Sequence, residues 1–290
     1  MIFIEPGVFV RHDPTCAPMP VVFDSPHSGA EYPPDFDYKC PLQALRHAED
    51  AHVDALFAAA PRHGATLIGA LFPRSYIDPN RGIEDIDPQL IDAPWPGPVT
   101  VSDRARVGMG LVRRICKPGM AIYDRTLTVA EVRHRIDNYY LPYHNAVASA
   151  VNAASARFGV VWHVNCHSMP SSVGPKVPVR GWDRADFVLG DRDGTTCAPG
   201  FRRMVQGILE HQGYDVRIND PYKGVELVKR FGHPRKGSHS LQIEINRRLY
   251  MNEDTLERTA GFDGLKRDMD ALIAAIADYA RDQLTAAAAD

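Results

Sequence analysis

The sequence predicts an α/β fold, a mixed and mainly parallel sheet flanked by helices, in a single domain over residues 1–290. Three observations lead there. Short apolar runs alternate with longer stretches of helical periodicity, the pattern of strands joined through helical crossovers. The chain is 44% hydrophobic and 24% charged over 290 residues, enough to bury one large core. No internal repeat or low-complexity linker divides it.

The apolar runs Val21–Phe23, Ala65–Leu71, Val160–Val164, Phe187–Leu189 and Leu241–Ile245 have the length of buried strands. After the first run, Leu42–Ala60 predicts a helix that stops before Pro61, and Asp103–Cys116 predicts a second. Thr128-Val-Ala-Glu131 is a capping box, so a helix should start at Val129, and Pro142 should kink or interrupt it on the way to Phe158. Further helices are expected near Gly200–His211 and over Leu256–Thr285, the Ala-rich end of the last one fraying. Ile83–Val101 and Met169–Trp182 are Pro-rich and read as long loops. Each follows a candidate site motif, which makes functional lids the expectation.

Charge and cysteine usage narrow the setting. A formal net charge of −3 provides no broad attraction for nucleic acid or an anionic membrane surface. No apolar run approaches membrane-spanning length, and MIFIEPGVFVRHDP lacks the basic-then-apolar order of a signal peptide. The five cysteines are widely spaced and form no CxxC pair. That argues against a disulfide framework or zinc knuckle and for a reducing, cytoplasmic location.

Two histidines stand where an α/β sheet places its ligands. In VVFDSPHSG, His27 emerges at the carboxyl end of a strand, and Gly29 lets the backbone turn sharply after it. VVWHVNCHSM repeats the pattern: His163, Asn165 and His167 share one strand face, with His167 at the end. Neutral imidazoles suit zinc or another late first-row metal. The third ligand stays open. RHAEDAHVD offers His47, Glu49, Asp50, His52 and Asp54, of which His47, Asp50 and Asp54 fall on one helical face, while Glu31 in HSGAE competes. No HExxH is present.

Glu244, in Ser-Leu-Gln-Ile-Glu-Ile-Asn-Arg, shares a face with Gln242 and Asn246. On an edge strand that face would simply be solvated. On a central strand Glu244 must meet a cleft or a partner, where its pKa would rise towards general-base work. Arg81 follows SYIDPN and carries a fork that matches a carboxylate; Arg74 would supply a second anion contact. A substrate with two carboxylates would use both.

Taken in order, PHSG, HAED, RSYIDPNR, PYH at Pro142–His144, CHSM and QIEINRRLYM resemble the N-formylglutamate amidohydrolase family, from about His27 to Met251. The resemblance implies a zinc-carboxypeptidase-like (phosphorylase/hydrolase-like) fold, related also to aspartoacylase, with one Zn²⁺ or another divalent metal. It implies His27 and His167 as metal ligands, with Asp50 as the carboxylate ligand and Glu49 and Glu31 as rivals, because the H-x-x-E arrangement of the carboxypeptidases is missing. Glu244 matches the glutamate that activates water, and Asn80 with Arg81 matches a pair that holds a substrate carboxylate. Arg74, His144 and Lys223 lie in family-like motifs, Arg74 and His144 as further substrate contacts. CHSM departs from the frequent D-H-S form, Cys166 replacing an acidic neighbour. The implied reaction hydrolyses N-formyl-L-glutamate, a small dicarboxylate N-formyl amino acid, to formate and L-glutamate in histidine breakdown. Two alternatives are a related amidohydrolase for another N-acyl amino acid or peptide, and a non-catalytic protein of the same fold that binds a small anion. A serine or cysteine hydrolase is disfavoured: GxSxG is missing, and Cys166 and Ser168 flank His167 too closely for a triad.

Overall fold

The five apolar runs all become strands of one eight-stranded sheet. The computed structural model describes residues 1–172 and 185–289. Its strands are β1 (Ile2–Glu5), β2 (Phe9–His12), β3 (Val21–Ser25), β4 (Thr66–Ala70), β5 (Ile115–Lys117), β6 (Met120–Ala121), β7 (Val161–Met169), β8 (Phe187–Gly190), β9 (Val216–Ile218) and β10 (Ser238–Asn246). The sheet order is β1-β2-β4-β3-β7-β10-β8-β9, with β5 and β6 forming a separate hairpin. Strands β4, β3, β7 and β10 are parallel neighbours, whereas β2 and β8 run antiparallel to this central group.

Parallel pairing puts the carboxyl ends of all four central strands on one edge. From β3 the chain moves first to β4 on one side and later to β7 on the other. The crevice between β3 and β7 is therefore a topological switch point, where open α/β sheets bind ligands.

The helices are α1 (Leu42–Arg46), α2 (Val53–Leu56), α3 (Asp103–Arg106), α4 (Val129–Arg135), α5 (Leu141–Phe158), α6 (Pro199–His211), α7 (Glu226–Phe231) and α8 (Phe262–Ala289). Leu56, Phe201 and Ile276, from α2, α6 and α8, pack on one face of the sheet against Phe23, Val164 and Ile243. Val132, Val147 and Leu227, from α4, α5 and α7, cover the other with Val22, Ile68 and Val161. That second face is unusual in the middle: His163, Asn165 and His167 of β7 and Ser240, Gln242 and Glu244 of β10 are all buried there. Register pairs Asn165 with Gln242 and His167 with Glu244. Side chains of registered residues in parallel strands point the same way, so a polar ladder runs up to the site edge.

Several helices differ from the sequence pattern. Leu42–Ala60 is not one helix but α1, a bend and α2. In the bend the Asp50 N–H donates to the His27 carbonyl (2.9 Å), and His52 adopts the left-handed conformation with φ 66°. A tertiary hydrogen bond here overrides local helix propensity. Asp103–Cys116 holds only the single turn α3, because Gly108 (φ +80°) breaks the helix before the β5–β6 hairpin. The capping box of Thr128 and Glu131 starts α4 as expected. Pro142 has no N–H for the carbonyl of Asn138, and the interruption appears as a π-helical turn over Ile136–Tyr140, between α4 and α5. Helix α8 begins at Phe262, six residues later than its pattern suggested. Ile83–Val101 lacks named strands and helices, as expected, and the second Pro-rich stretch lies outside the described residues from 173 to its end at Trp182. No described helix is long and apolar enough to cross a membrane.

Gly29 has a different reason from the sharp turn expected of it. Its φ is not positive, but a Cβ there would lie 2.3 Å from the Phe72 carbonyl oxygen and 2.4 Å from the Leu71 carbonyl carbon. The PHSG segment lies against the end of β4 with no room for a methyl group. Gly29→Ala is therefore expected to cost about 3 kcal/mol in urea unfolding. A loss below about 1 kcal/mol would show that the loop can move aside.

Candidate active site

The carboxyl edge of the four parallel strands opens into a cavity of about 390 Å³ whose lining includes His27, Asp50, Asn80, His167 and Glu244. His27 follows β3, the Arg74–Arg81 loop follows β4, His167 belongs to β7 and Glu244 to β10. Asp50 enters from the bend between α1 and α2. One edge thus gathers residues separated by more than two hundred positions in sequence.

His27, Asp50 and His167 each turn one ligand-type atom to a common point, all within 4.8 Å of one another and all buried. Asp50 Oδ2 lies 3.3 Å from His27 Nδ1 and 3.0 Å from His167 Nδ1. The outward nitrogens explain why Nδ1 is the converging atom. His27 Nε2–H donates to Asp78 Oδ1 at 2.7 Å. His167 Nε2 lies 2.7 Å from Asn165 Oδ1, which accepts its proton, and 3.1 Å from Asn80 Nδ2; Asn165 cannot be turned round because its Nδ2 donates to Asp24 (2.8 Å). With both Nε2 atoms turned outward, each Nδ1 faces Asp50: it donates to that carboxylate when the ring is protonated and offers its lone pair to a cation when the ring is neutral. Two imidazole nitrogens and a carboxylate oxygen form a donor set that fits zinc, with second partners holding each ring in place.

The alternatives for the carboxylate separate spatially. Glu49 is buried but accepts from the Tyr32 hydroxyl (2.7 Å) and Arg46 Nε (3.4 Å), and Glu31 is exposed. Asp50 alone of the three reaches the two histidines. His47, His52 and Asp54 do not join the buried group, and the helical face that His47, Asp50 and Asp54 were expected to share is broken.

A family model for N-formylglutamate amidohydrolase matches residues 19–251. This chain belongs to the N-formylglutamate amidohydrolase family. It is 26% identical to the N-formylglutamate deformylase of Pseudomonas aeruginosa over 237 residues, 81% of this chain and 83% of the relative. To the enzyme of that name from Pseudomonas putida it is 25% identical over 244 residues, with the same coverage of 81% and 83%. A crystal structure of N-formylglutamate amidohydrolase from Ralstonia eutropha JMP134 superposes with a TM-score of 0.91 at 49% identity, covering 96% of this chain and 99% of that one.

In this family member the RSYIDPNR loop is held from behind by one long helical element. Arg135 Nη1 donates to the Tyr76 carbonyl (3.0 Å), the Tyr140 hydroxyl to the Arg81 carbonyl (2.9 Å), and His144 Nε2 to the Pro79 carbonyl (2.8 Å). Positions 135 and 140 share a face only because the π-turn lies between them; 140 and 144 then follow at α-helical spacing. His144, expected as a substrate contact, is fully buried outside the cavity and holds the loop instead. Arg74 lines the cavity, but its Nε and Nη2 both donate to Asp78 Oδ2 (3.1 and 2.8 Å). Asn80 lines it too, with Oδ1 accepting from the Leu227 N–H at the start of α7 (3.1 Å). Arg81 and Lys223 also line the cavity.

Sequence reasoning assigned no role to Asp78, Asn165, Arg113 or Arg247, although three of them lie inside or beside the quoted motifs. The signal was present: a charged residue in an otherwise strand-like or turn-like motif needs a partner. Arg247 donates to Ser168 Oγ, the carbonyls of His47 and Glu49, and Asp50 Oδ1, pinning the α1–α2 bend to the end of β10.

The two carboxylates facing the cavity are driven apart. Burial raises the Asp50 carboxyl, but hydrogen bonds from His167 and His27 and the charges of His27 and Arg74 outweigh it and hold the group well below the usual range. Burial also raises Glu244, and there the negative Asp50 adds to it, so Glu244 lies well above the usual range despite Arg74 and Arg247. Gln242 Nε2 donates to Glu244 Oε1 at 2.9 Å. Arg113 is pushed down to about 9 by burial and by Arg74, and stays charged at neutral pH.

His144 carries a pH signature for the fold. Burial, with Arg230 beside it, lowers its pKa from 6.5 to about 4. Between these values the unfolded chain binds a proton that the folded chain refuses, so stability falls as pH drops through this window and the contribution is constant outside it. The total is about 3 kcal/mol. His144→Gln should flatten the pH dependence of the unfolding free energy between pH 6.5 and 4; an unchanged slope would remove His144 from this role.

Proposed function

We propose that this chain hydrolyses the formamide bond of N-formyl-L-glutamate to formate and L-glutamate. The observation that carries the reading is the placement of Glu244, buried on β10 in register with His167, in the cavity where His27, Asp50 and His167 converge. Membership of the family and the names of its relatives support the substrate. Cysteine usage supports a cytoplasmic setting, and the family resemblance supports a role in histidine breakdown.

In this reading His27, Asp50 and His167 hold one divalent ion, Zn²⁺ first. Bound there, the ion would polarise the formyl carbonyl and lower the pKa of a water to about 7. Glu244 takes a proton from the attacking water and returns it to the amide nitrogen as the C–N bond breaks. The water oxygen ends in formate, and the proton ends on the glutamate amine, so the step balances. Gln242 orients Glu244 through its amide N–H. Asn80 and Arg81 position the substrate, with Arg81 facing one carboxylate. Asp78 and Asn165 keep the two imidazoles in register and leave their Nδ1 atoms available. A larger N-acyl amino acid is the competing substrate within this chemistry, and pure anion binding is the competing function.

Formate release from N-formyl-L-glutamate should disappear on chelation and return with zinc; N-acetyl and peptide substrates run alongside distinguish the rival amidohydrolase. Binding without formate release under any metal condition would support the non-catalytic alternative. Glu244→Gln should lower kcat by about 10³-fold or more while bound metal stays at the wild-type level. Loss of metal from that variant would mean that Glu244 belongs to the metal site and not to proton transfer.

A further inference from the structure

We infer that Arg113, paired with Arg81, is the clamp for a substrate carboxylate, an inference that rests on the activity proposed above. Among the described residues, six cationic side chains line the cavity: Arg74, Arg81, Arg104, Arg113, Lys223 and Arg247. Of the described residues, only Asp50 and Glu244 line it with the opposite sign, and Asp78 lies buried behind the wall. The positive excess calls for an anion, but the six are not equally free to meet it.

Arg74 is committed to Asp78 through two hydrogen bonds, and Arg247 spends its donors on Ser168, two backbone carbonyls and Asp50. Lys223 pairs with Asp193 at the surface (2.9 Å), and Arg104 is exposed. Arg113 and Arg81 remain. Each approaches Asp78 Oδ2 only at ion-pair range, 3.6 Å from Arg113 Nη2 and 3.9 Å from Arg81 Nε. Neither side chain makes a hydrogen bond among the described residues, and the Nε of each is buried without a partner. Buried guanidinium donors left unpaired are costly, and a carboxylate is the anion their planar forks match.

The two segments that carry the pair are tied to each other. The Asp78 N–H donates to the Leu111 carbonyl (2.8 Å), and the Leu111 N–H to the Asp85 carbonyl (2.9 Å), so the segment carrying Arg113 is stitched to the loop carrying Arg81. A Cβ at Gly110 would sit 2.7 Å from the Asp85 oxygen, so this close docking depends on glycine. The backbone segments that carry the two guanidiniums are held together before substrate arrives, which lowers the ordering cost of binding. Arg74, expected to anchor the second carboxylate, instead keeps Asp78 in place.

The test is calorimetric binding of two probes to zinc-loaded protein: glutarate, a dicarboxylate, and acetohydroxamate, which offers a metal ligand and no carboxylate. Arg113→Lys keeps a charge beside Asp78 but loses the fork. It should weaken glutarate by about tenfold and leave acetohydroxamate within about twofold. Arg113→Met should weaken glutarate at least as much, and if it fails to fold, Arg113→Lys alone decides. Glutarate affinity within about twofold of wild type in a folded variant overturns the clamp, as does an equal loss for both probes. Formate release by the wild type is scored separately. Its absence alongside Arg113-dependent glutarate binding retires the activity and keeps the clamp; its presence alongside Arg113-independent binding retires the clamp alone.

Discussion

A buried carboxylate that stays ionised can only accept hydrogen bonds, and two such groups, Asp24 and Asp78, set the orientation of the polar side chains around them. Asp24 accepts from the Tyr143 hydroxyl, Asn165 Nδ2 and His163 Nε2. Burial raises its pKa, but these donors, His163 first, outweigh that and hold it below the usual range. Because Asp24 takes the amide N–H of Asn165, the amide oxygen must face His167. Asp78 acts on His27 directly. Burial raises it too, and Arg74, His27 and Arg81 more than compensate. The direction of two imidazole lone pairs at the cavity thus follows from two carboxylates that do not enter it. In a low-dielectric interior such chains are strong when complete and costly when one link is missing.

The same loop that carries Asp78 must also be held at a fixed height over the sheet, and the long helical element supplies that. An unbroken α-helix would spread Arg135, Tyr140 and His144 around its circumference. The π-turn before Pro142 rotates the first part relative to the second and lines the three up on the loop carbonyls. Arg135 is caged by aromatic rings, its guanidinium carbon 4.1 Å from the Tyr76 ring centroid, and this cation–π contact offsets part of the cost of burying its charge. A proline that seemed only to interrupt a helix proves to be part of how the site is positioned.

The sheet was largely legible in the sequence because each central strand is a short apolar run with buried neighbours on both sides. Strands β1, β2, β5, β6 and β9 escaped notice because they are short and largely unburied, whereas β8, with four residues, is buried throughout and shows as an apolar run. His27, His167 and Glu244 were legible as polar residues at or near strand ends. Asp50 came from family likeness, whereas the helical face proposed for it does not exist. Its place depends on a hydrogen bond to His27 and on Arg247, nearly two hundred residues away, and no local pattern encodes such a contact. Asp78 and Asn165 were harder still. Each works through another side chain, and only three-dimensional neighbours reveal that.

Asp50 and Glu244 share a cavity, are both buried and are both carboxylic acids, so their different behaviour has to come from their neighbours. Asp50 receives hydrogen bonds from two histidines and Arg247, which favour its ionised form. Glu244 receives one amide N–H, and the negative Asp50 disfavours its ionisation further. The first proton to leave the pair therefore leaves from Asp50, and the last to remain stays on Glu244. Neighbouring carboxylates with separated proton affinities divide acid–base labour in this way. Asp50 is suited to hold a cation throughout, and Glu244 is suited to carry a proton from one atom of the substrate complex to another.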